Sequence, residues 1–235
     1  MTSPSDPELE SAKERGWREL AEIDAALEGG EIDEDGWHAA VLALVEPAYL
    51  AGETPQSQSG KSGDARSWEQ GRRLILDAVD RDGTFLDIGC ANGLLMQSVA
   101  AWGSDDGRAL EPYGVDISAR LAHLARDRCP QWADRIWTAN AATWRPPRRF
   151  DYVRTGLDYV PARSREHYVG HLLTFLEPGG RLVIGTHNEE TDRDDLAAAV
   201  ESWGHPVVGS TTLPHRHPAL SYKAFWVERR PVRSG

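Results

Sequence analysis

Two acids, set beside small residues at regular spacing, are the part of this chain equipped for chemistry. Asp87 lies in the apolar run Phe85-Leu86-Asp87-Ile88, and Gly89, Ala91 and Gly93 follow at every second position. Leu94, Leu95, Met96 and Val99 then resume at helical spacing, so the stretch reads as a buried strand, a glycine-rich turn and a helix. Small residues at 89, 91 and 93 let backbone approach a ligand with no large side chain between. The second acid, Asp116, closes the next strand in GVDIS, 23 residues beyond Gly93. An acid at about that distance, at the carboxyl end of a neighbouring strand, suits a ribose diol.

Other readings of the same residues fit less well. A nicotinamide-binding turn needs G-x-G-x-x-G, whereas glycines stand only at 89 and 93. A phosphate-gripping loop at Gly60-Lys61-Ser62 would need glycine at 55, which is Pro55. A turn with glycines for geometry alone leaves Asp116 and its spacing unexplained. The pattern Asp-x-Gly-x-Ala-x-Gly followed by Asp116 resembles the first motifs of the class I S-adenosylmethionine-dependent methyltransferases. Leu-Glu-Pro-Gly-Gly-Arg-Leu-Val-Ile at 176–184 resembles that family's third motif, and Phe150–Arg154 its second. The resemblance covers residues 64–229.

The elements that must position these residues follow from periodicity. Strands are expected at Phe85–Ile88, Leu110–Asp116, Arg135–Ala139, Phe150–Arg154 and Arg181–Thr186, joined by helices. Two more, Pro206–Leu213 and Tyr222–Arg229, are only eight residues apart, too few for a crossover helix, so they run antiparallel. Helices are expected from Pro7 to Leu27, Asp35 to Leu44, Asp64 to Val79, Ser118 to Arg128, Ser164 to Leu176 and Asp192 to Trp203, with Pro47 stopping the second. The resemblance implies an α/β, Rossmann-like, seven-stranded sheet of order 3-2-1-4-5-7-6, strand seven antiparallel, with an N-terminal helical cap. Residues 1–63 are expected to form that cap and a polar lid loop, and 64–235 the methyltransferase domain.

The resemblance also implies roles. Gly89, Cys90, Ala91 and Gly93 would line the methionine part of S-adenosyl-L-methionine, with Asp87 organising its ammonium. Asp116 would hold the ribose, Ile117 would pack on the adenine, and Asn140 and Ala141 would read its edge. Thr155 closes strand four beside them. Trp144 either shields the adenine or belongs to the core. For the proton leaving a hydroxyl or amine acceptor, His187 just after strand five is the leading candidate, and Asp158 and Tyr159 after strand four are the next candidates, for holding the acceptor. The product would be S-adenosyl-L-homocysteine.

Composition bounds the rest. At 235 residues the chain holds one substantial core with a small appendage. No membrane-length apolar stretch and no signal peptide is present, and the two cysteines make neither a disulfide framework nor a metal-ligand spacing, so a reduced cytoplasmic setting is expected. Arginine in place of nearly all lysine suggests a GC-rich bacterial genome. The net charge is −11, but residues 1–40 hold 12 acids and 3 bases, leaving 25 acids and 23 bases elsewhere. Without a concentrated basic stripe, a small-molecule acceptor is favoured over nucleic acid. The other readings are an RNA methyltransferase using Arg145, Arg148 and Arg149, and a protein that binds the cofactor without turnover. His215, Arg216 and His217 are expected to be exposed in the last hairpin. The acceptor and the oligomeric state are not legible.

Overall fold

The run around Asp87 becomes the central strand because its neighbours are apolar on both faces, as an interior parallel strand requires. The computed structural model describes residues 7–61, 63–186, 195–215 and 221–229. Within them, β1 (Gly83–Ile88), β2 (Leu110–Asp116), β3 (Ile136–Thr138), β4 (Phe150–Thr155), β5 (Leu176–Thr186), β6 (Val207–Pro214) and β7 (Ser221–Glu228) form one sheet of order β3-β2-β1-β4-β5-β7-β6. All pairs are parallel except β5–β7 and β6–β7. Strand order reverses between β1 and β4, and their carboxyl ends form the edge where ligands of such sheets bind.

Alternation along the strands divides the core in two. Leu86, Val153, Ile184 and Phe225 face one side, packed with α6 (Arg165–Leu173). Phe85, Tyr152, Val183 and Tyr222 face the other, packed with α3 (Ala65–Arg72) and α4 (Leu94–Asp105). A third cluster joins α5 (Ala119–Arg128) to the glycine turn through Cys90, Met96, Ala122 and Cys129. Fully burying a Leu or Phe side chain contributes roughly 1.5–3 kcal/mol, so the two faces fix the strand register.

The chain divides into two units, Met1–Ala51 and Gly52–Gly235, described separately. In the first, α1 (Pro7–Glu28) and α2 (Glu34–Leu50) bury Leu27, Trp37 and Val41. Asp33 caps α2 by accepting from Gly36 N–H at 2.8 Å, and Trp37 Nε1 donates to Asp24.

Several boundaries differ from the expected ones. α2 continues through Pro47 to Leu50: the ring removes one hydrogen bond, and Ala51 N–H closes the next turn onto Pro47 O. The helix expected over Asp64–Val79 is α-helical only to Arg72, and Arg73–Ala78 tightens to a 3-10 helix. α6 ends at Leu173, because Leu176–Gly180 already pairs with the sheet through a register shift opposite Phe150 and Tyr152. There Gly179 N–H donates to Arg229 O and Arg229 N–H to Gly180 O. α7 (Leu196–Ser202) is capped by Asp195, and residues 187–194 lie outside the described residues.

Candidate active site at the carboxyl edge of the sheet

The turn after β1 takes three consecutive left-handed turns of the chain at alternate residues: φ is +73° at Gly89, +46° at Ala91 and +76° at Gly93. Gly93 is required sterically as well, since a Cβ there would lie 3.2 Å from both Ala125 Cβ and Cys129 Sγ. Ala91 is the one non-glycine in this region among the described residues, and holding it left-handed costs about 1 kcal/mol. Opposite, Gly114 on β2 makes room for two sulfurs, because its Cβ would lie 2.7 Å from Met96 Sδ and 2.8 Å from Cys90 Sγ. Cys90 therefore offers a ligand its backbone only; burial pushes its thiol well above the ordinary range.

The hydrogen bonds of this turn decide what it can hold. Gly89 and Cys90 N–H both donate to Val115 O, at 2.8 and 3.1 Å, and Ala91 N–H donates to Asp116 Oδ2 at 2.8 Å. Leu94 N–H, at the start of α4, donates to Asn92 Oδ1. A pyrophosphate at a glycine turn is held by N–H groups of the turn and helix start. Here those donors are spent inside the fold, and so are the Cys90 and Gly93 carbonyls, which accept from Gly93 N–H and Gln97 N–H.

Asp87 is 1% exposed. Its Oδ1 accepts from Arg154 Nη1 at 3.2 Å, across the β1–β4 register pair, while Oδ2 is enclosed without any hydrogen-bond donor. An enclosed acceptor without a donor fits the methionine ammonium, a group that only donates. Burial pushes the Asp87 carboxyl up to about 6, with Asp116 adding to the rise and Arg154 and Arg72 opposing it. Asp116 joins the two strand ends: Oδ1 accepts from Ser118 N–H and Oδ2 from Ala91 N–H, both at 2.8 Å. A carboxylate oxygen carries two lone pairs, so a ribose hydroxyl would share these oxygens with the backbone donors.

Beyond Asp116, Ile117 presents 38% of its surface at the edge, as a side chain that packs on a planar base must. Ser118 caps α5 by accepting from Leu121 N–H. Asn140 uses its amide oxygen to accept from Ala142 N–H, closing its own turn, with Ala141 buried beside it. Trp144 packs on Trp137 and Phe175, with ring centroids 5.3 and 5.8 Å away, so its contacts are those of a core residue. Thr155 Oγ1 donates to Gly156 O and meets the Tyr168 hydroxyl at 3.3 Å, on the sheet face opposite Asp87.

On the β4–β5 side, Asp158 folds back over the bare backbone of Gly156, where a Cβ would lie 3.4 Å from Asp158 Oδ2. Burial raises the Asp158 carboxyl, opposed by Arg165, Arg154 and Arg72. Tyr159 is 48% exposed. His187 falls outside the described residues.

A methyltransferase-domain family profile matches residues 62–227, more than half the chain. The chain belongs to this methyltransferase-domain family. A demethylmenaquinone methyltransferase of Tropheryma whipplei is 28% identical over 100 residues, 42% of this chain and 39% of that protein. The chain thus spans about two fifths of the length of the curated relatives it matches. Among solved structures, the Burkholderia thailandensis 1,6-didemethyltoxoflavin-N1-methyltransferase, with its substrate and S-adenosylhomocysteine bound, superposes with a TM-score of 0.64 at 15% identity, over 85% of this chain and 92% of that one. The [4+2]-cyclase SpnF also shares the fold, with a TM-score of 0.55 at 16% identity, over 80% of this chain and 93% of that one.

Several residues of this methyltransferase domain escaped the sequence reading. Asn92, wholly buried, donates through Nδ2 to Pro55 O and Gln58 Oε1 and accepts from Ser59 Oγ, which ties segment 52–61 to the glycine turn. Arg72 stacks on Trp68 and brings positive charge within range of both Asp87 and Asp158. His215, expected in solvent, is 9% exposed, with its ring 4.7 Å from that of Tyr222; Lys61 Nζ donates to the Tyr222 hydroxyl from the other direction. Gln70 of α3 donates to Pro214 O and Gly71 lies against the Tyr222 ring, so the described ends of β6 and β7 meet α3 beside that imidazole. Arg216 and His217 lie outside the described residues. A signal for Arg154 was present: an arginine inside an interior parallel strand demands a buried counter-charge, and Asp87 is its register partner.

Proposed function

We propose that the chain transfers a methyl group from S-adenosyl-L-methionine to an oxygen or nitrogen of a small molecule, releasing S-adenosyl-L-homocysteine. The observation that carries this reading is Asp87 Oδ2, enclosed without a donor beside a turn whose Gly89, Cys90 and Ala91 N–H groups are spent on Val115 O and Asp116. The cofactor, when bound, supplies the electrophilic methyl. Gly89, Cys90 and Ala91 line its methionine part with Asp87, Asp116 takes the ribose, Ile117 the adenine face, and Asn140 and Ala141 its edge. Direct transfer needs positioning above all. Asp158 receives the acceptor's proton, supported by its half-buried carboxyl, which burial raises above the ordinary carboxylate value. Tyr159 orients the acceptor.

Segment 52–61 serves as a strap over the turn, supported by the Asn92 hydrogen bonds. The small-molecule reading is favoured over RNA because Arg148, the centre of the best basic cluster, is already committed: its Nη1 donates to the Tyr113 hydroxyl at 2.9 Å and its guanidinium lies over Tyr113. Calorimetry tests the cofactor. S-adenosyl-L-homocysteine binds in the micromolar range, about −8 kcal/mol, and NAD gives no heat. Binding of NAD, or of neither, overturns the reading.

A further inference from the structure

Arg154 stands in the middle of a central strand, with its side chain 11% exposed, and its register partner on β1 is Asp87. Arginine is a costly choice there, because a charge removed from water must be matched by a partner of good geometry. Its partner is the one acid in the glycine-turn strand, held at 3.2 Å through Oδ1 alone. A bidentate pair would occupy both carboxylate oxygens. The single contact leaves Oδ2 without a donor in an enclosed site.

We propose that Arg154 is a positioning residue for the cofactor: it grips Oδ1 of Asp87, keeps that carboxylate charged, and thereby reserves Oδ2 for the methionine ammonium. The inference rests on the cofactor reading above and adds a residue that the glycine-turn motif does not contain. Other charges also face Asp87. Arg72 from α3 supports its ionisation, and Asp116 from β2 opposes it. The buried Cys90 thiol in the turn lies within the field of both acids. Of these groups, Arg154 is the one whose hydrogen bond to Asp87 is seen directly. Its charge also bears on Asp158, so the same guanidinium lies between the cofactor acid and the acceptor-side acid.

The test is the pH dependence of S-adenosyl-L-homocysteine binding, read by calorimetry on the full chain. In the wild type, affinity falls below a midpoint near the Asp87 value of about 6. Arg154→Met moves that midpoint upward by about two units, so affinity at pH 7 falls about tenfold and largely returns at pH 8.5, as the titration of one carboxyl requires. In an Asp87→Asn background, adding Arg154→Met costs less than about twofold, because the arginine acts only through the acid. That pair leaves no unmatched buried carboxylate, and it carries the test if Arg154→Met alone does not fold. An unchanged midpoint in Arg154→Met overturns the proposal, and so does a loss in the Asp87→Asn background as large as in the wild type. Failure of the wild type to bind at any pH between 5 and 9 rejects the cofactor reading itself.

Discussion

The carboxyl edge of the sheet has two halves that are built differently. On the β1–β2 half, the site is made of backbone and small residues: Gly89, Ala91 and Gly93 in left-handed turns, and Asp116 gripping two N–H groups. On the β4–β5–β7 half, it is made of polar side chains from separate stretches: the half-buried Asp158 after β4, and Lys61 donating to the Tyr222 hydroxyl of β7. A ligand common to a whole family can be met by backbone, which cannot vary much. A ligand peculiar to one protein must be met by side chains, which can. The first half therefore speaks to the cofactor and the second to the acceptor.

The sharpest way to separate the halves is Asp158→Asn. If this carboxyl takes the proton, turnover falls 10²–10⁴-fold, the usual range for a general base. Affinity for S-adenosyl-L-homocysteine stays within about twofold, because Asp158 belongs to the acceptor half. A parallel His187→Ala measurement ranks the two candidates; a loss above tenfold there, with Asp158→Asn near wild type, would reverse their roles.

Asp116→Ala probes the other half. It strands the N–H groups of Ala91 and Ser118 as well as the ribose hydroxyls, so both folding and cofactor affinity weaken by about 1–3 kcal/mol. Unchanged affinity by calorimetry would remove the ribose assignment.

The Asp87 carboxyl gives the comparison a pH axis. Its folded value of about 6 lies above the ordinary carboxylate value, so the folded form binds the proton more tightly than the unfolded chain. Stability contributed by this group is fully present below the ordinary carboxylate value and is lost as pH rises through about 6. Cofactor affinity runs the opposite way, falling about tenfold from pH 7 to pH 5 as the carboxylate is neutralised. Thermal unfolding of Asp87→Asn beside the wild type, and calorimetry across the same range, check the two slopes. Parallel slopes would mean that Asp87 does not face the ammonium.

The smallest effect belongs to the strap. Gln58→Ala with Ser59→Ala removes two partners of Asn92 without touching the turn. Cofactor dissociation speeds up a few-fold, and amide exchange at Gln56–Gly60 loses its dependence on S-adenosyl-L-homocysteine. Exchange that is indifferent to ligand in the wild type would reduce the segment to a linker.

This division also explains what was legible in the sequence. The reversed last strand, and Asp87 and Asp116 at their strand ends, follow from local patterns, because a turn that needs left-handed φ and close packing must spell itself in small residues, while the strand order comes with the family resemblance those residues carry. Contacts such as Arg154 to Asp87, 67 residues apart, or Lys61 to Tyr222, 161 apart, exist only once the sheet and hairpin have closed. His215 misled for the same reason: polar residues near a hairpin tip read as exposed, whereas its ring lies 4.7 Å from that of Tyr222, which packs against Gly71 and Lys61. The end of α6 was misjudged because Leu176–Gly180 joins the sheet ahead of the apolar run that announces β5.

The two cysteines give this architecture a clock. Cys90 sits inside the glycine turn with its sulfur pressed on Gly114, and Cys129 lies under Gly93 with no exposed surface. Neither sulfur is reachable by a thiol reagent while the turn is closed. The rate of alkylation therefore counts openings of the turn, one molecule at a time, in a protein that needs no added label. A ligand that holds the turn shut would slow that count in proportion to its occupancy, so the chain reports its own cofactor binding through chemistry that takes no part in the reaction.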